Sequence, residues 1–126
     1  MMQTDREFLT PEEAVKVDAA LLSSKEKFAT RLAIYALRCL REISQQQECA
    51  IASVTLDQIT QWIEQDTRLH DKLEIDSSFT SFFSRLVMSS MKPLDRISQE
   101  LQIPMANLTV DQVVAGFEKE SQVKRE

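Results

Sequence analysis

The chain has 126 residues, of which 43% are apolar and 28% charged, and carries a net charge of −5. That length suits a single domain, residues 1–126, able to bury enough surface to fold without disulfide or metal staples. The acidic balance disfavours nonspecific binding to nucleic-acid phosphates, and one Gly with three Pro excludes a turn-rich sandwich or barrel.

The opening residues, Met1 to Glu7, lead into no apolar segment, which predicts no secretory leader. The first helix is expected to open at Thr10. Thr10 and Glu13 have capping-box spacing, Pro11 sits at the first helical position, and the helix should reach about Leu22. A second helix is predicted from Ser24 to Gln47, with Phe28, Leu32, Tyr35, Cys39 and Ile43 on one stripe. Ser23 and Ser24 mark either a break between the two or a bend in one continuous helix, the break being the favoured reading. This helix also holds the longest apolar run, Leu32 to Leu37, far too short to span a membrane.

Thr55 and Gln58 form another capping box, opening a third helix that carries Ile59, Trp62 and Ile63 to about Lys72. A long helix should start at Ser77 and kink or restart at Pro93, because an interior proline removes a hydrogen bond and clashes one turn back. Pro104 marks a loop, and Thr109 with Gln112 opens the last helix. The fold class is therefore all-α: a compact helical bundle.

Residues 23–72 align with residues 77–126 at an offset of 54 without a gap, and fourteen of the fifty pairs are identical. Roughly three would match in unrelated sequences of this composition. Several identities fall at turns and caps, including Ser44/Ser98, Thr55/Thr109, Asp57/Asp111 and Gln58/Gln112. Shared helical periodicity does not force those residue types to recur. The expectation is two tandem helix-pair repeats closing about a pseudo-twofold axis, with the N-terminal helix outside the repeat. Trp62 aligns with Gly116, which suggests that the indole fills the space beside the glycine.

Arg31 and Arg38 lie seven residues apart on one helix face, and Arg85 with Lys92 repeats the spacing. These four form a candidate surface for an anionic group or partner. The plainer reading pairs them internally, with Glu64 facing Arg31 and Glu118 facing Arg85. Phe79, Phe83, Val87, Met88 and Met91 cover more of their helix than one packed face needs, so they form a candidate protein interface. The plainer reading is that the N-terminal helix covers them.

His70 has Asp66 and Glu74 four residues to either side, too sparse a set for zinc. Cys39 lies on the core stripe and Cys49 in a turn, a pair that fits neither a disulfide framework nor a zinc site and suits a reducing, cytoplasmic setting. The segment Ile97–Thr109 has the spacing of a helix-turn-helix entry, but the helix it leads to offers no basic residue before Lys119.

The run Phe8-Leu-Thr-Pro-Glu-Glu-Ala, the block Phe83-Ser-Arg-Leu-Val and the segment Leu108-Thr-Val-Asp-Gln-Val-Val resemble small uncharacterised helical proteins of cyanobacteria. That resemblance implies an all-helical fold and no activity, cofactor or site residue. The residues point to a non-catalytic module that binds a protein partner, a second copy of itself included, with no cofactor and no membrane span. Two alternatives stand: a nucleic-acid binder using the helix-turn-helix-like segment, and an enzyme whose site the sequence does not display.

Overall fold

The computed structural model describes residues 9–65 and 77–125, all of them helix, turn or connection. Among the described residues the α-helices are α1 (Pro11–Asp18), α2 (Ser24–Gln47), α3 (Leu56–Glu64), α4 (Ser77–Ser89), α5 (Met91–Leu101) and α6 (Val110–Arg125). Short 3₁₀ turns at Ile51–Ser53 and Met105–Asn107 precede α3 and α6.

Local chemistry sets the boundaries. The Thr10, Thr55 and Thr109 hydroxyls each accept from the backbone N–H three residues on, while Glu13, Gln58 and Gln112 reach back to the capping residue. A fourth box, Ser23 with Glu26, opens α2. It shares the Ser/Thr-x-x-Glu/Gln signature of the others and is equally readable from sequence.

α1 stops at Asp18, short of Leu22. The Ala20 N–H turns in to the Val17 carbonyl at 3.1 Å, and the Asp18 carbonyl accepts from Lys27 Nζ at 2.7 Å. The break between the first two helices is therefore real. α3 ends at Glu64, with the Gln65 N–H turned to the Trp62 and Ile63 carbonyls; residues 66–72 of the expected span lie outside the described residues.

Pro93 restarts its helix. Ser90 caps α5 with helical dihedrals (φ −70°, ψ −16°), which puts Pro93 in the first turn, where the missing N–H is least costly. The Ser89 and Ser90 hydroxyls bond back to the Arg85 and Leu86 carbonyls at the junction.

α2 is the central element. Between Thr30 and Ile43 most of its side chains are buried, including Leu32, Ala33, Ile34, Tyr35, Ala36, Leu37, Cys39 and Leu40. It packs against each of the other helices, while α3 lies on α4 and α6 lies on α5. The Tyr35 ring, fully buried, meets Trp62 edge-on at 5.6 Å and Phe83 at 5.5 Å. Leu94, Ile97, Leu108 and Val113 belong to the same core.

The two inter-helix turns carry the same hydrogen bonds at an offset of 54. Glu48 and Gln102 both adopt the left-handed conformation, with φ of 52° and 57°. The Cys49 and Ile103 amides both reach back five residues at 3.1 Å, to the Ser44 and Ser98 carbonyls. The Ser44 and Ser98 hydroxyls donate to the Cys49 and Ile103 carbonyls in turn.

The Trp62–Gly116 pairing is not what forms. Ile97 occupies the space beside Gly116, and a Cβ there would lie 2.5 Å from Ile97 Cδ1. Trp62 instead rests on Tyr35 and donates from Nε1 to Glu42 at 3.3 Å.

Candidate functional site

Among the described residues the most elaborate polar construction lies where α1 packs on α2 and α6. Lys27, Arg31 and Arg38 stand along one edge of α2 at intervals of four and seven residues, so they share a face. α1 runs antiparallel along that edge. Lys27 Nζ donates to the Asp18 carbonyl, and Arg31 meets the Asp18 carboxylate at 2.5 Å. One α1 length away, Arg38 pairs with Glu13, whose Oε1 also accepts the Thr10 N–H at 2.9 Å.

Beneath these pairs Ala14 and Val17 are fully buried. On the α6 side Lys16 pairs with Asp111 at 3.1 Å. The Leu21 N–H, left over at the end of the α1 turn, donates to Glu118 at 2.9 Å. α1 is thus a short helix seated in a groove by an apolar centre and an ionic or polar clip at every corner.

The plainer internal pairing foreseen for the arginines is half right. Arg31 and Arg38 are tied internally, with side chains only 20% and 18% exposed. Their partners are the α1 acids Asp18 and Glu13, and Glu118 serves the Leu21 N–H instead of Arg85. Sequence spacing alone does not reveal this, because the acids come from a separate element, α1.

Arg41, one turn beyond Arg38, has a different task that the sequence does not flag. Its Nε donates to the Ala106 carbonyl at 2.7 Å and a terminal nitrogen donates to the Leu108 carbonyl. It therefore staples the Met105–Asn107 turn to α2. Burial, and then the nearby Arg38 charge, lower its pKa. Arg38, Arg41, Glu13 and Glu42 edge a cleft of about 200 Å³ floored by Ile34, Leu37 and Val113. With Arg38 and Arg41 already bonded within the chain, the cleft is a seam of the α1 seat.

Arg85 and Lys92 are exposed and make no ion pair with any described residue. The candidate interface residues separate. Phe83 and Val87 are core residues, Phe83 stacking on Phe79 at 5.4 Å and touching Tyr35, so they are not open to a partner. Phe79, Met88 and Met91 are half-buried against the core. This face of α4 packs on α3 and α2, whereas the α1 seat is on α2 and α6. Among the described residues the large exposed aromatics are Phe28 and Phe82, at 49% and 60%.

The helix-turn-helix-like segment does form a helix, a turn and a second helix. Its entry residues are occupied: Thr109 and Gln112 cap one another's backbone, and Asp111 holds Lys16. Cys39 is buried and Cys49 half-buried, and both are free of disulfides. His70, Asp66 and Glu74 lie outside the described residues. Among the described residues no three His, Cys, Asp or Glu side chains gather as a metal site would require, and no helix is long and apolar enough to cross a membrane.

No curated protein and no solved structure matches this chain. Compared with models of protein families, residues 9–124 match the family described as NDH complex assembly factor CRR9. That span begins at the residue before the Thr10 cap and ends within α6, so it takes in the α1 seat, both turns and the whole core. The chain belongs to the NDH complex assembly factor CRR9 family.

Proposed function

We propose that this chain is a non-catalytic binding protein that serves the assembly of an NDH complex by holding one or more of its protein components. The observation that carries the reading is the family match over residues 9–124. An assembly factor must present protein-binding surface while staying folded on its own. Both requirements are compatible with a bundle whose caps and turns are satisfied internally and whose surface keeps Phe28, Phe82, Arg85 and Lys92 exposed.

The test is loss and rescue. In the organism that encodes the protein, deletion of its gene is expected to lower the amount of intact NDH complex on native gels and to leave sub-complexes behind. The purified chain should bind at least one purified NDH component. Full accumulation of the complex without the protein would contradict the reading.

A further inference from the structure

Several residues that seat α1 have a counterpart at an offset of 54, although Lys27 aligns with Ser81. Arg31 and Arg38 correspond to Arg85 and Lys92, Ile34 and Leu37 to Met88 and Met91. On the shorter helix, Asp111 and Glu118 correspond to Asp57 and Glu64. The packing is reciprocal as well: α1 sits where α2 meets α6, and α3 meets α4 in the matching place.

The difference between the two places is cover. Arg31 and Arg38 are half-buried under α1, whereas Arg85 and Lys92 are exposed. Ile34 and Leu37 are buried, whereas Met88 and Met91 are half-buried. Val114 is buried, whereas its counterpart Thr60 is only half-buried, and Glu118 is more covered than Glu64. The shift toward solvent occurs at these six positions, whereas Asp111 and Asp57 are both exposed.

We propose that the face formed by α4, the start of α5 and α3 binds a short amphipathic helix of a protein partner, one built like α1. This rests on the protein-binding reading above and gives it a location. The chemistry of the occupant follows from the seat already filled. Two carboxylates five residues apart would meet Arg85 and Lys92, as Asp18 and Glu13 meet Arg31 and Arg38. Small apolar residues between them would cover Met88 and Met91, just as α1, which packs on α2, buries its Ala14 and Val17. A lysine on the flank would reach Asp57, as Lys16 reaches Asp111. Methionines suit such a seat because their flexible thioethers adapt to an incoming surface. Opposite charges at the rim set orientation and discourage wrong partners.

The probe is a synthetic peptide of residues 9–22, added to the full-length ¹⁵N-labelled chain at low salt. Amide shifts are expected at Arg85, Met88, Lys92, Thr60 and Glu64. The variant R85E/K92E alters only exposed side chains and should keep the melting temperature while weakening peptide binding at least about tenfold. A peptide carrying Glu13→Lys and Asp18→Lys should recover binding to that variant and lose it with the unaltered chain. Absence of shifts at excess peptide, or shifts confined to α2 and α6, would overturn the proposal. Concentration-dependent dimerisation abolished by R85E/K92E would assign the face to a second copy and overturn the partner reading. The gene-deletion result is independent: a lost NDH complex beside a silent peptide leaves the function standing and removes only this site.

Discussion

A Cβ added to Gly116 would lie 2.5 Å from Ile97 Cδ1 and 2.6 Å from Ile97 Cγ1, and Ile97 is itself 1% exposed. Ile97 belongs to the same buried cluster as Leu94 and Leu108, so a shift of its side chain has to be taken up within the core. Gly116→Ala therefore sets an overpacking penalty of about 1–3 kcal/mol against a helix-propensity gain of about 1 kcal/mol. The first should win, giving net destabilisation in urea titrations. In an Ile97→Ala background the clash is gone and the same change should stabilise by about 1 kcal/mol. That reversal of sign distinguishes packing from a general intolerance at the site. Arg41 offers a second test. Replacing it with Met leaves the Leu108 and Ala106 carbonyls without their donor, and the expected loss is about 1–3 kcal/mol by the same titration. Neither role is legible in the sequence. A lone mid-helix glycine announces that something comes close but not what, and an arginine does not announce that its acceptors are backbone oxygens 65 and 67 residues away.

Capping chemistry at the element scale was local and therefore readable. Thr10, Thr55 and Thr109 each bond within four residues of themselves, so the signal and the structure occupy the same short window. Helix ends were less readable. α1 stops at Asp18 because Lys27 and Arg31 of the next helix capture its carbonyl and carboxylate, an agreement between two elements that neither displays alone. Pro93 makes the element-scale prediction. Because it lies in the first turn of α5, Pro93→Ala should change stability by less than about 1 kcal/mol. The aligned position in the unbroken α2 is Cys39, and Cys39→Pro should cost about 3 kcal/mol or more. Equal effects at the two positions in a denaturation series would show that Ser90 does not start a new helix.

At the scale of the whole molecule, the all-helical bundle followed from periodicity and from the scarcity of glycine and proline. The identities between the halves that fall in turns are informative for a physical reason. Ser44 and Ser98, Thr55 and Thr109, and Gln58 and Gln112 make the same hydrogen bonds in each turn. We propose that residues 23–72 and 77–126 are copies of one ancestral unit. The asymmetry between them carries the functional content. One α1-like seat is filled by the chain's own N-terminal helix, and its counterpart leaves Arg85 and Lys92 exposed beside the half-buried Met88 and Met91. The sequence showed the matched cations but not which pair was taken, since that depends on where an element outside the repeat comes to rest.

The direct measurement of this account is complementation. A strain lacking the gene is supplied with the unaltered chain or with R85E/K92E, both confirmed to melt alike, and intact NDH complex is quantified on native gels. The account predicts that the unaltered chain restores the complex and R85E/K92E does not. Full restoration by R85E/K92E would contradict it.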